Sequence, residues 1–246
     1  MHHLGFTRSS VKSDHALLTP DTFIRAPLPG FTKATCIVHI APQLGAGFVQ
    51  YSAELEDGGQ FGPAPSTTSR FVYVLKGSLT LTLEGQSHTL ETGGYAYIPP
   101  EVEHTLSSMD AARAMVIEKV YQPSEDVDDA EFIVGKALEV ISSPLAGNEG
   151  IQVRPLLPDH PSYDCAVNLM TFAPGASLHL VEIHVMEHGL TLLEGEGIYR
   201  LSDAWYPVSK GDIIYMAPYC PQWFGALGSG PSSYLIYKDW NRHPLE

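Results

Sequence analysis

The sequence predicts an all-β chain of two tandem β-barrel or jelly-roll modules with an N-terminal arm. Three observations carry this. The first is composition: of 246 residues, 22 are Gly and 19 Pro, aromatics reach 10% and charged residues only 17%, against about 25% charge in an ordinary globular chain. Turn formers with aromatics favour short strands and tight turns, and so many Gly and Pro interrupt helices. The second is an internal repeat at one constant offset of 118 residues. The third is the alternation of apolar and polar residues inside the repeated segments.

In chain order, residues 1–30 show little periodicity and read as an extended arm. Residues 71–77 (Phe-Val-Tyr-Val-Leu-Lys-Gly) match residues 189–195 (Gly-Leu-Thr-Leu-Leu-Glu-Gly). Residues 93–100 (Gly-Gly-Tyr-Ala-Tyr-Ile-Pro-Pro) match residues 211–218 (Gly-Asp-Ile-Ile-Tyr-Met-Ala-Pro). Gly77 falls on Gly195, Gly93 on Gly211 and Pro100 on Pro218. Each copy reads strand, Gly turn, strand, Gly turn, strand, Pro turn, strand. Residues 80–83 alternate Thr and Leu like a half-buried strand, and residues 86–90 do so in part. Residues 122–131 are acidic, contain Pro and hold few apolar groups, so they read as a solvated connector. The expected division is residues 1–125, arm plus first module, and residues 126–246, second module.

Fourteen basic residues against 28 acidic ones give a formal net charge of −14. That charge repels phosphate backbones and anionic membranes, which excludes nucleic acid and membrane as principal partners. No apolar run approaches the roughly 20 residues of a membrane-spanning helix, and residues 1–5 lack an apolar leader core. Cys36, Cys165 and Cys220 are few, odd in number and far apart, which reads as reduced thiols in a cytoplasmic protein.

The chemistry gathers in the second module. Residues 181–189 read Val-Glu-Ile-His-Val-Met-Glu-His-Gly, and Gln222 follows a Pro turn. On an extended strand Glu182, His184 and His188 share parity and can face a barrel interior. Glu187 has the opposite parity. Two imidazoles, a carboxylate and an amide oxygen form a mixed set that binds divalent Mn, Fe, Ni or Zn. Octahedral geometry would leave two positions open. Carried back by the repeat offset, the four slots fall on Ala64, Ser66, Arg70 and His104, so the first module is expected to be metal-free. In residues 234–238 (Tyr-Leu-Ile-Tyr-Lys), Tyr234, Ile236 and Lys238 share parity, and a Lys facing an apolar barrel calls for an anionic partner. Single histidines at His15, His39, His88, His160 and His179 read as ordinary core or surface residues.

The Glu-x-His-x₃-His…Gln spacing resembles the cupin metal motif, in which His more often takes the first and last slots and Glu the third. Carried in a repeated chain, it resembles a bicupin. Four stretches are similar to the (S)-ureidoglycine aminohydrolase family: residues 182–189, 195–199 (Gly-Glu-Gly-Ile-Tyr), 210–212 (Lys-Gly-Asp) and 236–242 (Ile-Tyr-Lys-Asp-Trp-Asn-Arg). Weaker matches lie in residues 16–21 and 29–31. The resemblance implies a homo-oligomeric manganese enzyme of allantoin degradation that releases ammonia from ureidoglycine, with other divalent metals as substitutes. It implies metal ligands at Glu182, His184, His188 and Gln222. It places substrate contacts at Glu182, Tyr199, Gln222, Tyr234 and Lys238, with Glu182 and Lys238 as the catalytic pair.

Other readings compete. His184-Val-Met-Glu-His188 fits the H-x-x-E-H pattern of inverted zinc peptidases, but that chemistry needs a helix and this window matches a strand. A cupin dioxygenase or isomerase, or a regulatory bicupin that binds a metabolite, would share the fold. A fourth ligand at Gln222 and the Tyr/Lys set favour a chelating, amino-acid-like substrate.

Overall fold

The structure, a computed structural model, describes residues 6–124 and 127–239. His2, His3, the expected boundary at 125/126 and residues 240–242 of one matched stretch lie outside the described residues. The arm gives β1 (Ser10–Val11) and β2 (His15–Leu18). Then come β3 (Phe31–Ile40), β4 (Phe48–Phe61), β5 (Thr68–Lys76), β6 (Ser78–Leu83) and β7 (Gln86–Glu91). Next are β8 (Gly94–Ile98), β9 (His104–Ser107), β10 (Ala112–Val120) and β11 (Ile133–Lys136). The second copy holds β12 (Ser143–Leu145), β13 (Asn148–Pro155), β14 (Ala166–Phe172), β15 (His188–Glu194) and β16 (Glu196–Leu201). It ends with β17 (Ala204–Ser209), β18 (Ile213–Met216), β19 (Gln222–Leu227) and β20 (Ser232–Lys238). The all-β, two-barrel reading of the sequence holds; the repeated strand-and-turn pattern is seen as β5 to β9 and β15 to β19, and residues 234–238 lie in β20.

Two compact units form. One comprises described residues of 24–140 with 160–164. Its sheet runs β11-β8-β5-β10-β4-β9-β6-β7, with β3 beside β4. Alternation drives its packing: Leu79, Leu81 and Leu83 of β6 point inward against Val72, Val74 and Leu106. The other unit comprises described residues of 1–23, 141–159 and 165–246. It holds an eight-stranded sheet, β1-β2-β18-β15-β20-β14-β13-β12, and a three-stranded sheet, β17-β16-β19. Its core is aromatic, with Phe172, Tyr199, Phe224 and Tyr234 fully buried.

This division differs from the expected one at both ends. The arm belongs with the second barrel, because β2 pairs with β18 from Leu18↔Ile213 to His15↔Met216. Arg8 fixes it further, placing Nη1 at 2.6 Å and Nη2 at 3.0 Å from the carboxylate of fully buried Asp212. Asp212 also accepts the Ser209 amide at 2.8 Å, so the Lys-Gly-Asp stretch serves as an anchor for the arm. Past the connector, β11 pairs along β8 from Ile133↔Tyr97 to Lys136↔Gly94, which carries the first unit on to Val140.

The repeat extends to backbone conformation. Gly77 and Gly195 have φ of 76° and 74°, and Gly93 and Gly211 of 83° and 94°. Two non-glycine pairs at the same offset are also left-handed: Glu84 and Ser202 at 48° and 53°, and Glu101 and Tyr219, both at 64°. Gly77 faces a second constraint, since a Cβ there would lie 2.7 Å from the Ala111 carbonyl oxygen. Gly85 has nearly the same φ, 77°, with nothing within 4 Å. Gly85→Ala should therefore cost about 1 kcal/mol of stability. Gly77→Ala, which adds a backbone clash, should cost about 2–5 kcal/mol. Denaturant melts of both variants check this, and equal losses would contradict it.

Candidate functional site

Both sheets of the second unit and one irregular link build the site. The parity argument placed Glu182, His184 and His188 on one strand. The structure corrects that: Glu182 forms an isolated bridge, residues 183–187 are irregular and β15 begins only at His188. Leu180 and Ile183 are exposed there, so the run is strand-like in composition without being a covered strand. The three side chains still converge. Glu182 Oε2 lies 3.2 Å from His184 Nε2, and the His184 and His188 rings sit 5.2 Å apart. Reciprocal amide–carbonyl bonds of 2.8 Å tie Glu182 to Gln222.

Gln222 opens β19 in the three-stranded sheet and is buried. Its Oε1 accepts the Tyr199 hydroxyl at 3.1 Å. His188, in the eight-stranded sheet, stands across from Met216 on one side and Lys238 on the other. Tyr234 lies on the same strand as Lys238 and packs edge-on to Phe224, 5.6 Å between centroids. All six residues named in the sequence, with Lys238, thus surround one region. Glu187 turns away and accepts the Tyr215 hydroxyl at 3.1 Å.

The electrostatics follow from burial. His188 is held well below the usual imidazole range, first by burial and then by the charges of Lys238 and His184. It is a neutral ring, the form that donates a lone pair. Its Nε2 is buried and has no hydrogen-bond partner among the described residues. Burial also lowers Lys238, opposed by the attraction of Glu182. The Tyr199 and Tyr234 hydroxyls are pushed up by burial and by the Glu182 carboxylate, so both stay protonated donors.

The donors fit a divalent ion. An orphaned imidazole nitrogen lies beside a second imidazole, a carboxylate and an amide oxygen. The 3.2 Å between Glu182 Oε2 and His184 Nε2 suits two donors sharing one ion as well as it suits a hydrogen bond. A second metal-capable cluster, Asp14, His15 and Cys220, has donor atoms within 4.8 Å of one another. The sequence hid it, because its members are far apart in the chain. Its groups are already partnered. Asp14 Oδ1 pairs His15 Nδ1 at 2.8 Å, Asp14 Oδ2 accepts the Ser202 hydroxyl, and His15 Nε2 meets Tyr206 at 2.9 Å. Cys220 Sγ lies 3.9 Å from Ser202 Oγ. The cluster reads as a polar lock on the arm.

The matching slots of the first barrel hold a different device. Arg70 Nη1 lies 2.8 Å from His104 Nε2 and donates to the Gly62 carbonyl at 2.6 Å. Its Nε and Nη2 both reach Glu118 Oε1, at 2.9 and 2.7 Å. A guanidinium thus stands at the slot that corresponds to His188. Glu118 was not singled out in the sequence; an acidic residue inside a predicted strand was the available signal.

Comparison with known proteins agrees with this architecture. The chain matches the Cupin domain family twice, over residues 51–118 and 168–237. An (S)-ureidoglycine aminohydrolase from Arabidopsis thaliana is 42% identical over 98% of this chain and 80% of its own. One from Escherichia coli K12 is 36% identical over 96% of this chain and 92% of its own. The crystal structure of the Escherichia coli protein Ylba superposes with a TM-score of 0.86 at 33% identity, covering 96% of both chains. With two cupin repeats and relatives matched along nearly all of its own length, this chain belongs to the (S)-ureidoglycine aminohydrolase family of bicupins.

Proposed function

We propose that this chain hydrolyses the C–N bond of (S)-ureidoglycine, giving (S)-ureidoglycolate and ammonia, as a manganese-dependent step of allantoin degradation. The observation that carries the reading is the buried His188 Nε2, without a hydrogen-bond partner among the described residues, beside Glu182, His184 and Gln222, with Lys238 across the strand pair. The names of the full-length relatives supply the substrate. In this reading Glu182, His184, His188 and Gln222 hold the ion. When bound, the ion supplies a template and charge stabilisation for the substrate's polar groups.

The chain's own groups do the rest. Lys238 Nζ receives the substrate carboxylate, and that anion offsets the cost of burying the ammonium. The Tyr199 and Tyr234 hydroxyls donate to the ureido carbonyl and fix the reacting carbon relative to Glu182. A Glu182 carboxylate oxygen takes a proton from the incoming water and returns it to the amine, which leaves as ammonia. The aromatic core of Phe172, Phe224 and Tyr234 closes the floor of the site. Exposed Leu180 and Ile183 in the ligand-bearing link are apolar surface that self-association would cover, in keeping with a homo-oligomer.

The first test is ammonia release from ureidoglycine, freshly made from allantoate, with and without Mn²⁺. Chelator should abolish the release and Mn²⁺ restore it; full activity in chelator sinks the metal role. His188→Ala should lower bound metal, read by elemental analysis, by about tenfold or more. Unchanged metal content would remove His188 from the ligand set. Lys238→Ala should keep its metal and lose about 100-fold in kcat/KM, since a buried charge partner for the carboxylate is gone. Wild-type kinetics in that variant would reject the assigned carboxylate contact.

A further inference from the structure

The first barrel keeps a cavity of about 310 Å³, within the size range of small-molecule sites. Its polar wall is Arg70, Glu118 and Tyr51, and its apolar walls include Phe31, Val49 and Pro63. Through the repeat offset this is the end of the barrel that carries the catalytic site in the second copy. Pro63 and Pro65 lie in the loop that corresponds to the one holding Glu182 and His184. We propose that this cavity is a second ligand site, for a neutral molecule that presents an amide-, lactam- or ureide-type N–H to Glu118 from an apolar body.

The carboxylate sets the chemistry. Glu118 Oε1 takes three hydrogen bonds: Arg70 Nε at 2.9 Å, Arg70 Nη2 at 2.7 Å and the Tyr51 hydroxyl at 2.9 Å. Its Oε2 makes none among the described residues, and the side chain is 17% exposed where it lines the cavity. An exposed carboxylate oxygen takes a donor. A cationic donor is disfavoured, because the Arg70 guanidinium already neutralises Glu118 and would repel a second positive charge. An anion meets Oε2 itself. A neutral N–H satisfies the oxygen without either penalty, and Phe31, Val49 and Pro63 receive the apolar remainder. The Arg70 ion pair holds Glu118 in place before any ligand arrives, so little ordering is left to be done on binding.

The test uses the full chain loaded with its metal and three probes of one shape: benzamide, benzylammonium and benzoate. Binding is followed by saturation-transfer NMR and calorimetry. Benzamide should bind with a dissociation constant on the order of 1 mM, and, in the Lys238→Ala chain, where the carboxylate contact of the other barrel is gone, each charged probe about tenfold or more weakly. Val49 stands directly across the strand pair from Glu118, so Val49→Phe fills the cavity and should weaken benzamide about tenfold. Val38→Trp, from an exposed position on the rim, should do the same without touching the core. Lys238→Ala, in the other barrel, should leave benzamide binding unchanged. Circular dichroism confirms that each variant folds. The proposal is overturned if folded Val49→Phe and Val38→Trp bind benzamide like wild type. Tighter binding of either charged probe in the Lys238→Ala chain, loss of benzamide binding in that chain, or no benzamide signal at about 10 mM would also overturn it.

Discussion

Burying an imidazole nitrogen with no partner would cost about 1–3 kcal/mol; among the described residues His188 Nε2 has no hydrogen-bond partner, a position that suits a nitrogen ligand to a metal ion. The strand pairing leaves little alternative. His188 opens β15 between Met216 and Lys238, so its ring enters the interior next to a buried ammonium. Both neighbours, Lys238 and His184, oppose a second positive charge, and the ring stays neutral. The surrounding groups answer that one constraint. Glu182 supplies the negative charge that Lys238 needs, the Tyr199 hydroxyl orients Gln222, and Phe224 and Phe172 keep water out beneath them. Removing Glu182 would leave the buried Lys238 ammonium without that negative charge.

The first barrel fills the corresponding place with an ion pair and hydrogen bonds of its own. At the slot of His188 it carries Arg70, a guanidinium. Glu118 and His104 close around that charge. The two barrels share their turn conformations down to the left-handed non-glycine residues, Glu84 with Ser202 and Glu101 with Tyr219. The two copies thus share backbone geometry at these turns while their side chains differ, at the barrel centres included.

Much of this was legible in the sequence because it is local. Alternation in residues 78–83 and the matched glycines mark strands and turns that nearest neighbours decide. The donor types that converge at Glu182, His184, His188 and Gln222 were legible by spacing, as were Arg70 and His104 at the matching positions of the first copy. What escaped depends on distant pairing. Residues 179–187 have a strand-like composition, yet Leu180 and Ile183 face solvent because Glu182 bridges to Gln222 for a single residue only. Nothing local announces that Asp14 and His15 meet Ser202, Tyr206 and Cys220. The same holds for Glu118, whose role depends on an arginine in another strand.

The arm has a consequence for the order in which the molecule is made. Ala16 and Leu17 are completely buried, but their partners lie at Ile213 to Met216. At about 5–20 residues per second, the ribosome needs roughly 10–40 s to produce the intervening chain. Residues 24–140 emerge as a set during that interval and can close their own sheet. The arm strand, synthesised first, is among the last to find its place, and until then it trails as an unpaired apolar edge of the kind that chaperones protect.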